Sequence, residues 1–387
     1  MKKLFSLFLF FTFATALSAM DILVRVYADQ TIRKSELTCV LGQYRLTDET
    51  GKEITSLSKD ETVTFHAETK GIKVVKGKEN LGVFQKITAM GDGLKTMFRL
   101  APDYRNIRAR IYDDHLQISL VDNALQFINV VDLEHYVAGV IQSEVLGSSD
   151  DVEFFKIQAI ISRTYAMTNI RKHLREGYNL CDGVHCQAYY SRNNTARILQ
   201  GAMESSGLVL VDNQTGRTIL ASFHANSGGQ TMNSEDVWVT PVPYLRSVID
   251  TFSLEMPGSA WQKEYTTKEW LNLLQRHFKY EINDETKRAN ALNFEQSQRK
   301  THFDENIRLP EMRRALDLRS TFFSVRQEGD KVILDGKGYG HGVGLSQEGA
   351  IRMIREGFSV EDVLKFYYQN VALVRIEDLF VGEEQQF

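Results

Sequence analysis

Residues 132–145 read DLEHYVAGVIQSEV. Leu133, Tyr136, Val137, Val140 and Ile141 fall at i, i+3, i+4, i+7 and i+8, one face of a helix. The chain changes character here. Upstream, from 21 to about 122, apolar residues alternate with polar ones, as in Ile22, Val24 and Val26, in Val63 and Phe65, and in Leu116, Ile118 and Leu120. That period-2 pattern predicts strands, with Thr50-Gly51 and Asp92-Gly93 read as turns. Downstream, a second helix is expected over 153–174, capped from Ser148, Ser149 or Asp150. Residues 219–223 read as a short buried strand, and 266–314 as a charged, solvated helical excursion. A strand at 331–334 leads into a glycine-dense loop and a final helical region. Strands first, then helices with mixed returns, predict an α+β fold. Its parts are a β-rich N-terminal part over 20–122 and a mixed helix/strand domain over 123–387.

Composition bounds the function classes. The chain has 387 residues, 43% hydrophobic and 25% charged, which excludes disorder or a coiled coil as a description of the whole. Its 46 basic and 50 acidic residues give a net charge of −4, so no basic excess points to nucleic acid. Residues 1–19 read as a cleaved secretory signal: Lys2 and Lys3, an uncharged apolar run, then small Ser18 and Ala19. The competing reading is an uncleaved anchor, but the run is short for a bilayer span and none follows. Secretion across the cytoplasmic membrane, to periplasm or cell wall, is the expected location.

Three groups of residues carry chemistry. Glu144 lies on the same helical stripe as Tyr136, Val137, Val140 and Ile141. Desolvation and the helix C-terminal dipole both disfavour its anion, which raises its pKa and suits a general acid. The alternative is a glutamate at a frayed helix end that turns into solvent. Next, Cys181, His185 and Cys186 fall within NLCDGVHCQAYY, with His173 the nearest fourth ligand. Thiolate and imidazole this close suit zinc, whereas in a secreted chain a Cys181–Cys186 disulfide is the competing reading. Four protein ligands would make such a zinc structural. Cys39 is left as a buried free thiol. The third group is a pair of glycine-bearing loops, HANSGGQT at 224–231 and GKGYGHGVGLSQEGA at 336–350. Glycine at alternate positions leaves room for a ligand or a neighbouring backbone. Neither loop is a dinucleotide fingerprint or a phosphate loop, and no nucleophile elbow surrounds Ser227 or Ser346.

Together DLEHYVAGVIQSEV, KIQAIISRTYAM, NLCDGVHCQAYY, FHANSGGQT with EDVW and PYLRSV, and GYGHGVGLSQEGA resemble the stage II sporulation protein D (SpoIID) family, which includes amidase-enhancer (LytB) proteins. The resemblance covers roughly 100–370, and the last stretch is its most specific mark. It implies a lytic transglycosylase that cleaves MurNAc–GlcNAc bonds of peptide-stripped peptidoglycan strands and leaves 1,6-anhydro ends. It places the catalytic glutamate at Glu144 and zinc at Cys181, His185, Cys186 and His173. By the same analogy, Arg163, Tyr165, Ser227 and His341 shape the glycan groove. The sequence departs from the family where Met-Pro would follow the glutamate: Val145-Leu146 stand there instead. The alternatives are a non-catalytic wall-binding activator of a peptidoglycan amidase and a zinc hydrolase.

Overall fold

The computed structural model describes residues 20–380, apart from 105, 146 and 184. The expected leader and Leu146 lie outside the described residues. Among the described residues no helix is long and apolar enough to cross a membrane.

The alternating segments form strands β1 (Asp21–Val26), β2 (Lys34–Thr47), β3 (Glu53–Leu57), β4 (Thr62–Glu68), β5 (Gly71–Lys76), β6 (Glu79–Phe84), β7 (Lys86–Pro102), β8 (Arg110–Asp113), β9 (His115–Val121) and β10 (Ala124–Asp132). They build one sheet in the order β1-β10-β9-β7-β2-β4-β5-β6, with β3 on β2 and β8 on β7. Asp92-Gly93 is not a turn. It lies inside β7, where the pairing with β2 jumps from Leu41↔Met97 to Gln43↔Asp92, and the surplus residues bulge out. Cys39 is buried in this sheet as a free thiol, as expected.

The helices follow at once: α1 (Leu133–Val145), α2 (Val152–Thr168), then strand β11 (Leu180–Cys181), α3 (Ala196–Glu204) and β12 (Leu208–Asp212). The apolar stripe of α1 is buried as its spacing requires. α2 is capped by Asp151, one residue past the expected candidates, whose carboxylate accepts from the Glu153 amide. β11 returns to the first sheet and pairs parallel with β1, Arg25 opposite Cys181. The β-rich part and the helices therefore share one hydrophobic core, from Ile22 to Val371. A run of buried rings crosses it, Tyr44–Phe98–Tyr112–Tyr189–Tyr136, with centroids 5.0–5.8 Å apart.

The remainder holds β13 (Phe223–His224), α4 (Ser234–Trp238), β14 (Ala260–Thr266), α5 (Thr267–Phe278), α6 (Glu285–Leu292), β15 (His302–Asp304), β16 (Ile307–Arg308), α7 (Leu309–Ala315), β17 (Phe322–Glu328), β18 (Lys331–Lys337), β19 (Leu345–Ser346), α8 (Gln347–Arg355), α9 (Val360–Tyr367), β20 (Val371–Arg375) and α10 (Ile376–Phe380). Two expectations need correction. The strand expected at 219–223 shrinks to β13: the buried Ile219 donates its amide to Leu210 O and accepts from the Thr168 hydroxyl at its carbonyl, so it joins no ladder with β19. The segment 266–314 is more than a solvated helical excursion. Its helices pack on the sheet β14-β18-β17 around a second core that includes Trp270, Leu274, Leu309, Met312 and Leu334. Charged residues are frequent in its sequence, yet α5 and α7 each turn an apolar stripe inward.

Candidate functional site

The segment 186–195 lies along α1 and is fastened to it repeatedly. Tyr136 Oη donates to Gln187 Oε1 at 3.2 Å, the Ala188 amide donates to Glu144 Oε1 at 3.2 Å, and the Tyr190 amide donates to Ser143 Oγ at 3.1 Å. The close approach depends on Gly139, where a Cβ would stand 2.4 Å from the Tyr189 ring. Glu144 thus sits at the last turn of α1, between Ser143 and the buried Val145, and its side chain is exposed. It is neither in the core nor a freely solvated helix end. Desolvation by the surrounding protein pushes its carboxyl above the usual range, against the lowering effect of the Ala188 amide. A carboxyl protonated more readily than usual, and reachable by a large substrate, has the properties of a general acid.

The same segment begins in the metal-type cluster. One ligand atom from each of His173, Cys181, His185 and Cys186 lies within 4.8 Å of every other. Cys181 Sγ stands 3.7 Å from His185 Nδ1, and Cys186 Sγ stands 3.6 Å from His173 Nε2 and 3.8 Å from His185 Nδ1. A tetrahedral ion at ~2.3 Å from sulfur and ~2.1 Å from nitrogen sets such S···N separations near 3.6 Å, so the residues present fit one. Both cysteines stand as free thiols, not as a disulfide. The other nitrogen of His173, Nδ1, meets Glu176 Oε1 at 2.7 Å, which fixes the ring with Nε2 toward the cluster. Asp182, inside the loop, accepts from the amides of Tyr27 and Ala28 and from Arg110, and so nails the loop to the first sheet.

The two glycine loops meet each other. β13 pairs parallel with β19, Asn226 bridges Tyr339, and Met232 bridges Val343. A Cβ at Gly338 would stand 2.6 Å from Asn226 O, and one at Gly344 2.0 Å from Ser222 O. Neighbouring backbone, rather than a ligand, takes up the space that these glycines leave.

The four residues expected to shape a groove separate. Arg163 is fully buried; it pairs with Glu134 and donates to the carbonyls of Leu208 and Ala202. An interior guanidinium with its donors so engaged ties α1, α2, α3 and β12 together and offers nothing to a sugar. Ser227 is also buried, with its hydroxyl donated to Asp250 Oδ2 at 2.7 Å. Tyr165 is half-buried beside the cysteines, and burial lifts its phenol to about 12. His341 is partly exposed, 5.2 Å from the exposed Trp238 ring and 5.5 Å from His224; burial, aided by the Arg313 charge, pushes its pKa down to about 4. Trp238, Ala188 and Glu176 were not singled out from sequence. Trp238 stands in the quoted EDVW, but nothing local marks its exposure. A backbone amide has no sequence signature, and Glu176 looks like any charged residue at a helix end.

Residues 121–211 match the family model described as stage II sporulation protein, SpoIID. The chain carries a SpoIID domain. It spans β10 to β12 and so holds Glu144 and all four cluster residues. The similarity extends beyond it. Stage II sporulation protein D of Bacillus subtilis is 27% identical over 281 residues, 67% of this chain and 79% of that one. An uncharacterized protein of Brachyspira hyodysenteriae is 26% identical over 91% of this chain and 95% of its own length. The amidase enhancer of Bacillus subtilis is 25% identical over 89% of this chain but only 56% of its own length. The second core, at 260–337, lies outside the SpoIID domain match.

Proposed function

We propose that this chain is a secreted peptidoglycan lytic transglycosylase with Glu144 as its single general acid/base. The observation that carries the reading is the reachable carboxyl at the end of α1 with a raised pKa, held by the Ala188 amide inside a SpoIID domain. Most glycosidases need two carboxylates. One suffices if the sugar's own 6-hydroxyl attacks. Glu144 gives its proton to the leaving glycosidic oxygen as the C1–O bond breaks. The resulting carboxylate then takes the 6-hydroxyl proton as O6 bonds to C1. No water is consumed, and intramolecular attack supplies a high effective concentration.

His173, Cys181, His185 and Cys186 would hold zinc. With four protein ligands, the ion supplies folding energy and has no open position for a reacting water. The four ligands would close the loop from which residues 186–190 run along α1 and bring the Ala188 amide against Glu144. A zinc hydrolase is therefore disfavoured.

The amidase enhancer among the relatives supports a second reading, a wall-binding activator of a peptidoglycan amidase. Product mass separates the readings. Purified protein on peptide-stripped strands should release fragments one water lighter than hydrolysis products. Fragments of hydrolytic mass would mean an enzyme of another kind. No fragments, together with faster release of stem peptides by an added amidase, would leave the activator reading.

A further inference from the structure

A cavity of about 510 Å³ opens where the second core meets the GYGHGVG loop. Its lining includes Lys263, Arg313, Arg319, Asp317, Trp261 and Tyr339. Among the described residues, none of the three cations forms an ion pair with a carboxylate. The walls are tied together: Gly340 N donates to Arg319 O at 2.9 Å and Arg313 Nε donates to the same carbonyl at 3.2 Å. The Arg319 guanidinium lies 5.7 Å from the Tyr339 ring, which is 49% exposed. The Arg313 charge is felt at His341, beside which Trp238 is 40% exposed. Lys263 Nζ is already engaged by the Leu316 carbonyl at 2.9 Å, which leaves the Arg313 and Arg319 guanidiniums; exposed aromatic faces beside them suit a ligand with flat apolar surfaces and separate anionic groups. A sugar chain with carboxylates fits that description.

We infer that this cationic, aromatic cavity binds glycan through free carboxylates, namely the lactyl carboxylate of muramic acid. The inference rests on the peptidoglycan reading above. An attached stem peptide turns that carboxylate into a neutral amide, and amidase cleavage restores the charge. Arg313 and Arg319 thereby give the protein a means to tell stripped strands from intact ones. Asp317 adds an acceptor for sugar hydroxyls and disfavours densely charged polyanions.

The test is binding to full-length Glu144→Gln protein, which prevents turnover. Two muramic-acid tetrasaccharides are compared, one with free lactyl carboxylates and one with them capped as amides. The free form should bind about fivefold tighter or better, the size expected of one or two partly exposed charge pairs. The Arg313→Gln/Arg319→Gln double variant should bind both alike. Equal binding of the two forms by the parent, or a preference that survives in the folded double variant, overturns the inference. Should the double variant fail to fold, salt dependence decides in the parent: the preference must shrink as salt rises, and a salt-independent preference overturns it. Inorganic phosphate that competes as well as the free-carboxylate sugar, at equal ionic strength, also overturns it. Discrimination without any cleavage by the wild type would sink the transglycosylase reading and leave this one standing; cleavage without discrimination would do the reverse.

Discussion

At the scale of residues, burial assigns different roles to two acidic groups on one helix. Glu134 is buried and bonded to Arg163, whereas Glu144 is exposed and, among the described residues, is bonded by the Ala188 amide alone. Its place eleven residues after Leu133, on the stripe of Tyr136, Val137, Val140 and Ile141, identified Glu144 in the sequence. Nothing local separated Arg163 from a groove arginine: its partner Glu134 is 29 residues away, and only the fold joins them. Arg163→Ala should therefore cost about 3–5 kcal/mol by stranding the Glu134 charge, measured by denaturant unfolding. Its folded fraction should keep the wild-type KM; a raised KM at unchanged stability would restore Arg163 to the groove. Glu144 behaves oppositely. Its carboxyl is raised in the fold, so the ionised form costs stability above the unfolded-state pKa, and the penalty vanishes as pH falls below that value. Glu144→Gln should be as stable as wild type at low pH and equal or more stable at neutral pH in thermal melts across pH. Activity should fall as pH rises through the raised pKa, since the acid form must donate. A rate that climbs through that range would rule out general-acid action.

At the scale of elements, the contact of α1 with residues 186–195 sets the site. The sequence displayed both halves, the apolar stripe and the Cys/His spacing, but not that they lie side by side. That packing comes from Gly139, Ser143 and Tyr136; a mid-helix glycine marks a close approach, but not what approaches. Gly139→Ala puts a methyl 2.4 Å from the Tyr189 ring, and the chain must move off α1 to relieve it. A loss of about 1–3 kcal/mol by overpacking is expected, with a larger fall in cleavage rate than in glycan affinity. Unaltered kinetics in that variant would show that the Ala188 contact does not position Glu144. On the other side of the cluster, Glu176→Gln weakens the orientation of His173. Metal affinity should drop about 10–100-fold in competition with a chelator, while the fold with metal bound stays intact. Unchanged affinity would remove Glu176 from the metal site. The glycine loops were legible as a place of close approach, but whether a ligand or backbone fills the gap depends on their mutual pairing, which lies over 100 residues apart in the chain.

At the scale of the molecule, the α+β class and a change from strands to helices near Val131 were visible because period 2 gives way to period 3.6 there, although the last strand, β10 at Ala124–Asp132, lies beyond the β-rich part read to about 122. The distribution of cores was not. Alternation shows which face of a strand is buried, not what covers it. The first sheet shares its core with α1 and α2, while 260–337 has its own, concealed by a charged composition. Native-state hydrogen exchange should therefore show β14, β17, β18 and α5 opening as a unit at lower free energy than β10, α1 and α2. Simultaneous exchange of both groups would mean that the two cores unfold together. Under the proposed function, the larger core supports the surface at which Glu144 would meet a glycan polymer. The most direct measurement of that claim counts 1,6-anhydro ends released from peptide-stripped glycan strands by wild type and by Glu144→Gln at matched concentration. The account predicts anhydro ends from wild type and a rate lower by about 10²–10⁴-fold in the variant. Anhydro ends formed equally by both proteins, or by neither, would contradict it.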